Sequence, residues 1–333
     1  MTITSREVRF ASRPEGLPTE ANFSLDEVRL APLEEGRVLV RNRFMSVDPY
    51  MRGRMNAGKS YAPGFELGKA LSGGAVGEVV ESKVAGLRPG DFVVSELGWR
   101  EYFSASLDQL KRIDHPVQPL SVHLGALGMT GMTAWIGLRL GECRPGETVF
   151  VSGAAGAVGS VAGQLAKIMG CRVIGTAGSD AKLSFLRDEC GFDAAINYKA
   201  GALLEKLTAA APDGIDLYFD NVGGDCLEAA LSALRLHGRI VACGSISGYN
   251  AQRPLPGPTN LFRMITQRLT MKGMIVRDWL NQTSEFEAEA GALLRAGKLK
   301  NKETVVRGID KAVGAFLGLF HGDNTGKMIV RLD

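Results

Sequence analysis

The sequence predicts an α/β fold of two domains, a doubly wound parallel sheet joined to a smaller β-rich domain, and three observations carry that prediction. The chain has 333 residues, about the length at which a single hydrophobic core gives way to two. Between residues 38 and 113, short β-like runs are broken by glycine and proline, as in a small β domain. From Gly146 onward, strand-like runs alternate with helical patterns of ten or more residues. That alternation marks βαβ units, whose parallel strands need right-handed crossovers.

Taken in order, residues 38–40, 75–80 and 91–95 read as strands of the β-rich part, and 116–145 as a helical bridge. The alternating part then reads strand 148–152 and helix 158–169, strand 172–176 and helix 181–189, strand 217–221 and helix 226–236, and strand 239–243. Pro254, Pro256 and Pro258 mark an irregular, exposed stretch. Residues 269–276 look strand-like, 284–296 helical, and 326–332 like one more strand with no local clue to the sheet it joins. No internal repeat appears at solenoid or propeller periods.

Composition excludes several classes. A hydrophobic fraction of 45% with 23% charged residues is that of an ordinary globular chain, not of a disordered or collagenous one. Lys plus Arg number 39 against 36 Asp plus Glu, and no like-charge block concentrates the net +3, so no nucleic-acid partner is expected. Five scattered cysteines (143, 171, 190, 226 and 243) include no C-x-x-C pair, which points to a reducing, cytoplasmic compartment. Arg6, Glu7 and Arg9 stand where a signal peptide needs an apolar core. No apolar run reaches the ~18 residues of a membrane span, so no membrane association is expected. Glycine is the outlier at 42 residues, an excess that suits tight turns or a backbone that must approach a ligand.

The densest signal is Val149-Phe150-Val151-Ser152-Gly153-Ala154-Ala155-Gly156-Ala157-Val158-Gly159. A buried strand runs through a turn almost free of side chains into a helix, so backbone N–H groups and the helix N-terminus can meet a pyrophosphate, while Gly159 permits close helix–strand packing. Ala155 takes the middle glycine position of G-x-G-x-x-G, and an ordinary βα turn is the alternative; the βαβ context favours dinucleotide binding. After the next strand, a carboxylate would bind ribose hydroxyls and repel a 2′-phosphate. Ala177, Gly178 and Ser179 stand there instead, with no acid before Asp180 and a cation at Lys182. A charge-assisted contact from Lys182 to a phosphate contributes ~1.5–3 kcal/mol, so NADPH is the expected cofactor; a solvated helix lysine is the alternative.

Chemistry by other routes lacks its apparatus. The four histidines and five cysteines form no close cluster of the three or four ligands zinc needs. Where a G-H-E motif would stand, the chain reads Gly64-Phe65-Glu66, so no metal is expected. No G-x-S-x-G elbow is present, and Gly53-Arg54-Met55-Asn56-Ala57-Gly58-Lys59-Ser60 fits the letters of the Walker pattern but stands in the β-rich half, outside the βαβ run a phosphate-binding loop needs. Hydride transfer needs neither, because the nicotinamide carries the reactive hydrogen.

Five strings occur in family order: Ser46-Val47-Asp48-Pro49-Tyr50-Met51-Arg52, Gly128-Met129-Thr130-Gly131-Met132-Thr133-Ala134-Trp135, the 154–159 turn, Tyr218-Phe219-Asp220-Asn221-Val222-Gly223-Gly224 and Asn324-Thr325-Gly326-Lys327. In these the sequence resembles the zinc-independent medium-chain dehydrogenase/reductases, in the branch of leukotriene/prostaglandin reductases, plant alkenal double-bond reductases and bacterial curcumin reductase. The resemblance spans nearly the whole chain. It implies a Rossmann domain (128–300) inserted into a chaperonin-10-like domain (1–127 and 301–333), to which the last strand returns. It also implies NADPH-dependent reduction of the carbon–carbon double bond of α,β-unsaturated ketones or aldehydes, in a homodimer.

Carried over residue by residue, Ala155, Gly156, Ala157 and Val158 meet the pyrophosphate, and Gly178 and Lys182 the 2′-phosphate region. Thr133, Tyr198, Asn221 and Asn324 match further cofactor contacts. Cys243, Gly244, Ser245, Ile246 and Tyr249, with Met274, Ile275 and Val276, match loops flanking the nicotinamide. A tyrosine implicated in catalysis in some animal members is replaced by Thr266 here, so its role does not transfer.

Hydride delivered to the β-carbon of an enone makes an enolate, and a donor must face the developing oxyanion. Tyr50 is the first choice, since a phenol ordinarily ionises near ~10 and stays a donor at neutral pH. A tyrosine that braces the Pro49 turn is the alternative. Tyr249 reads as a wall of the substrate pocket or as packing, Cys243 as an inert thiol, and Asp48 as a turn residue. Met45, Met51, Met55, Met129 and Met132 fill a core or line an adaptable pocket. Two other functions remain open at this point: an NADPH:quinone oxidoreductase, and a catalytically silent NADPH-binding sensor or scaffold.

Overall fold

The computed structural model describes residues 3–333, and the chain divides into two compact units. The first holds residues up to Leu124 together with Glu303–Asn324 and Met328–Asp333; the second holds Gly125–Lys302 and Thr325–Lys327.

The first unit begins with a hairpin of β1 (Thr4–Phe10) and β2 (Phe23–Arg29), registered so that Phe10 opposes Phe23. β3 (Val38–Ser46) follows, then the one-turn helix α1 (Met51–Arg54). Next come β4 (Ala75–Ser82), β5 (Phe92–Ser95), β6 (Tyr102–Ala105) and β7 (Lys111–Arg112). β3 pairs antiparallel with both β4 and β6, which makes it the spine of the sheet. Its buried Met45 joins Met51, Met55 and Trp99 in one core. Three of the methionines with two readings are therefore core filling, a use that suits their flexible thioethers.

The second unit starts with α2 (Met129–Leu140). The expected bridge over 116–145 is instead a short 3-10 turn, Leu120–Leu124, in the first unit and this helix in the second. Six parallel strands follow: β8 (Thr148–Val151), β9 (Arg172–Ala177), β10 (Ala194–Asn197), β11 (Ile215–Asp220), β12 (Leu234–Ala242) and β13 (Thr270–Gly273). Between them lie α3 (Ala157–Ile168), α4 (Asp180–Ser184), α5 (Leu203–Ala210), α6 (Gly224–Ala233) and α7 (Arg263–Thr266); α8 (Thr283–Arg295) comes after.

The strand order β10-β9-β8-β11-β12-β13 is the doubly wound order, reversing between β8 and β11. Strand alternation sorts the helices onto two faces. Leu217 and Phe219 of β11 meet α2 at Gly141 and Gly137. Tyr218 between them packs with Phe150, Ala229, Ala230 and Leu231 in a second core, its ring stacked on Phe150 at 4.9 Å.

Two boundaries depart from expectation, and the first is the strand read over 269–276, which stops at Gly273. At the second, residues 234–236 open β12 rather than closing the preceding helix. Buried Leu234 lies three after buried Leu231, a spacing that suits a helix and hides the change to strand.

The chain then leaves the second unit through β14 (Glu303–Arg307) and α9 (Ala312–His321) and ends in β15 (Lys327–Arg331). β15 pairs antiparallel with β3, Ile329 opposite Ser46. This completes a sheet ordered β14-β15-β3-β4-β5-β7 and answers which sheet the last strand joins.

Candidate functional site

A parallel sheet gathers the C-terminal ends of its strands along one edge, and ligands of doubly wound folds bind there, where the strand order reverses. Most of the residues singled out from sequence sit on that edge. The 153–158 turn follows β8, Gly178 follows β9, and Tyr198 follows β10. Asn221 follows β11, residues 243–249 follow β12, and 274–276 follow β13.

The turn after β8 is built by backbone. Gly153 adopts φ +58°, a region open to glycine at no steric cost. Its carbonyl accepts from Gly156 N–H at 3.0 Å, and Ala154 N–H donates to the Thr176 carbonyl of β9 at 2.9 Å. Gly156 caps α3 with no side-chain hydrogen bond, so the first-turn N–H groups, which a helix cannot satisfy itself, are left for a ligand. A Cβ on Gly159 would stand 2.5 Å from the Gly153 oxygen and 2.7 Å from Ala154 Cα. Helix and turn touch so closely that only glycine fits. A 12-residue helix aimed by such a turn fits a pyrophosphate. The returning chain supports the turn from behind: Gly326 N–H donates to the Ala155 carbonyl at 2.7 Å. Asn324 stands two residues before that contact, half-buried.

The turn after β9 is built by side chains. A Cβ on Gly178 would come within 3.1 Å of the Tyr198 hydroxyl and 3.0 Å of Lys199 Cε, so both side chains lie against the strand tip. Lys182 is half-buried in α4, while Asp180 is exposed. A lysine and a phenol at a tip without a buried acid, with Lys182 in the helix that follows, make a donor set suited to a phosphate dianion. Sequence reasoning passed over Lys199, although it adjoins Tyr198.

On the other side of β8, toward β11, a buried polar network fixes the loops after these two strands. Asp220 is buried, and its Oδ1 accepts from the Tyr218 hydroxyl at 2.7 Å and from the N–H groups of Val222 and Gly223 at 2.9 and 2.8 Å. Ser152 Oγ, 3.2 Å from the same oxygen, accepts from Asn221 N–H at 3.0 Å. The Asn221 side-chain amide donates to the Ser152 carbonyl at 2.8 Å. Burial, reinforced by the Asp220 charge, holds the Tyr218 phenol well above its ordinary pKa, so it remains a donor. Ser152, Tyr218 and Asp220 were not singled out from sequence. The signal was present as polar residues at the end of β11 and just after β8.

At the end of β12, the N–H groups of Cys243 and Gly244 both donate to the Asp220 carbonyl, at 2.9 and 3.0 Å. Ser245 N–H reaches the Tyr249 hydroxyl at 3.4 Å, and a Cβ on Gly244 would lie 3.3 Å from that oxygen. Tyr249 also lines an open depression of about 500 Å³ with Ser245, Arg253 and Leu255. Ile246 is half-buried beside it. Burial and, after it, the Asp220 charge push the Cys243 thiol up to about 12. Met274 and Val276 are buried and Ile275 half-buried. Thr133, half-buried in α2, donates its hydroxyl to the Met129 carbonyl at 2.7 Å.

Tyr50 belongs to the first unit. It is half-buried at the start of α1 and packs against the core that holds Met45 and Met51. The string around it is rigid: Ser46 Oγ hydrogen-bonds the buried Asp48 carboxylate, and buried Arg52 donates to the Gly16 carbonyl at 2.8 and 3.0 Å. In the Gly64-Phe65-Glu66 stretch, Phe65 is buried edge-on against Phe10, with the Arg54 guanidinium 4.1 Å over its ring. Among the described residues, no group of three or more His, Cys, Asp or Glu side chains is placed to hold a metal ion, and no helix is long and apolar enough to cross a membrane.

Two family models match the chain: one described as the N-terminal domain of oxidoreductase over residues 6–113, the other as zinc-binding dehydrogenase over residues 157–295. The NADPH-dependent curcumin reductase of Escherichia coli (strain K12) is 40% identical over 97% of this chain and 95% of its own length. A 2-alkenal reductase (NADP(+)-dependent) of Nicotiana tabacum is 40% identical over 98% of this chain and 97% of its own. The crystal structure of CurA from Vibrio vulnificus in complex with NADPH superposes with a TM-score of 0.93 at 39% identity, covering 98% of this chain and 99% of that one.

Proposed function

The chain belongs to the medium-chain dehydrogenase/reductase family, in the branch of the curcumin, prostaglandin and 2-alkenal reductases, and from that premise we propose that it reduces the carbon–carbon double bond of α,β-unsaturated ketones and aldehydes with NADPH. The observation that carries the cofactor reading is the pair of turns on one sheet edge, one stripped of side chains after β8 and one with Tyr198 and Lys199 against Gly178 after β9, where α4 with Lys182 begins.

When bound, the nicotinamide supplies the hydride that adds to the β-carbon of the enone. The chain's own residues do the rest. Amides of Ala155, Ala157 and Val158 hold the pyrophosphate over the turn that Gly156 keeps free of side chain, and Lys182 and Lys199 neutralise the 2′-phosphate while the Tyr198 hydroxyl donates to it. Thr133, Asn221, Asn324, the 243–246 loop and residues 274–276 position the nicotinamide end. Tyr50 donates a hydrogen bond to the carbonyl oxygen as charge develops there, and Tyr249 walls the substrate.

The protein acts as a cytoplasmic homodimer in this reading. Support for the compartment comes from five cysteines that form no disulfide. Support for the dimer comes from β13, the last strand of its sheet, beside exposed Leu261, Phe262 and Ile265 on the α7 segment. A bare strand edge with an apolar margin favours association with a second copy. Ile265→Glu is expected to yield a monomer in sedimentation velocity; an unchanged dimer removes this surface from consideration.

A substrate panel tests the function. NADPH oxidation is expected with a simple 2-alkenone and a 2-alkenal but not with the saturated ketone. Turnover confined to quinones would transfer the assignment to a quinone oxidoreductase, and binding of NADPH without turnover of any of them would make the protein a sensor.

A further inference from the structure

A second chemistry lies at the opposite end of the nucleotide-binding unit and does not depend on the cofactor reading. Cys143 follows α2, and Cys171 stands immediately before β9. Both are buried, and their sulfurs lie 3.5 Å apart. Cys171 Sγ is also 3.2 Å from the Arg144 carbonyl, which fixes its orientation. A disulfide needs a sulfur separation of ~2.05 Å, so closure requires an approach of roughly 1.5 Å, within the reach of small side-chain rotations. We propose that Cys143 and Cys171 form a reversible disulfide when an alkyl hydroperoxide reaches the folded protein.

Cys171 S–H is placed to donate to the Arg144 carbonyl, and across the 3.5 Å gap either sulfur can donate to the other. Glu142 and Arg144, the neighbours of Cys143, line an open polar cavity of about 400 Å³ with Glu147 and Arg239, so local opening there is the route by which a peroxide reaches the buried sulfurs. One of the two sulfurs, as its thiolate, attacks the distal peroxide oxygen, the O–O bond breaks, and the alkoxide leaves as alcohol after taking a proton, giving a sulfenic acid. The other sulfur then displaces that hydroxyl; the S–S bond forms, and the proton of the second thiol leaves with the hydroxyl as water. Two thiols lose two electrons, and one hydroperoxide becomes alcohol and water.

The bond ties the C-terminal end of α2 to the entrance of β9, whereas the candidate site occupies the exit ends of the strands. Oxidation is therefore expected to raise the thermal midpoint, because a cross-link restricts the unfolded chain, and to leave kcat for a 2-alkenone unchanged. The test treats the folded full-length protein with tert-butyl hydroperoxide, quenches it, labels remaining thiols with a maleimide in denaturant, and maps the peptides. Three labelled cysteines and a peptide pair joined through residues 143 and 171, reversed by dithiothreitol and absent in Cys143→Ser, are expected. Five labelled cysteines, or thiols lost without that linkage, would overturn the proposal, and the wild-type map alone decides it if the variant fails to fold.

Discussion

The turn after β8 and the turn after β9 lie on adjacent strands of one sheet, yet they are made by opposite means. The first excludes side chains: a single carbon added at Gly159 would collide with main chain at 2.5 and 2.7 Å. The second collects them, with the Tyr198 hydroxyl and Lys199 against Gly178 and Lys182 close by in sequence. The contrast follows what each has to recognise. A pyrophosphate is common to all dinucleotides and is satisfied by amides and a helix N-terminus. The 2′-phosphate distinguishes NADPH from NADH and calls for cations. Backbone recognition can be blocked only by adding atoms, whereas side-chain recognition can be deleted.

That difference orders the expected effects. The largest is at Tyr50, where one side chain is assigned a share of the chemistry itself: Tyr50→Phe should lower kcat by about 10²–10³, the usual cost of one oxyanion donor, with KM for NADPH unchanged. An unaltered kcat returns Tyr50 to a structural role. Next is Gly159→Ala, whose overpacking costs roughly 1–3 kcal/mol. Fluorescence titration should show Kd rising by about tenfold to a hundredfold for NADPH and NADH alike. Selective loss of one nucleotide would break the contrast between the turns. Lys182→Ala should raise KM for NADPH about tenfold while leaving KM for NADH nearly unchanged, and Lys199→Ala should produce a smaller selective loss. Equal losses with both nucleotides would remove the phosphate role.

The smallest effect is global. Burial pushes the thiols of Cys190, Cys226 and Cys243 each up to about 12 from an ordinary 9.0. In the unfolded chain these thiols ionise first, so the stability they contribute is complete below pH 9 and is lost as pH rises from 9 to 12. Thermal midpoints should fall through that window, and less steeply in Cys226→Ala.

Strand–helix alternation made the doubly wound sheet legible, because β8, β9 and the 217–219 part of β11 are mostly apolar runs followed by helices, and β12 carries another at 240–242. β10 and α5 escaped notice: Ala194 to Asn197 is short and only one of its residues is buried, and α5 is announced by Ala202 at φ +52° rather than by a capping residue. The glycine-rich turn was readable because backbone sites leave a trace as missing side chains. Lys199 and the Ser152–Tyr218–Asp220 network were not, because a buried polar network depends on register between strands distant in sequence: Tyr218 opposes Phe150, and Phe219 opposes Val151. The pairing of β15 with β3 was likewise invisible locally and came only with the family resemblance.

Cys243 has one more consequence. An enone is itself a thiol poison, since it adds to thiolates, and the protein carries this sulfur in the loop after β12, next to the groups assigned to the nicotinamide. With the thiol pushed up to about 12, roughly one molecule in 10⁵ presents the nucleophilic form at pH 7. The same buried Asp220 that fixes the loops contributes to that suppression, so the scaffold that orders the site also guards it against self-inactivation.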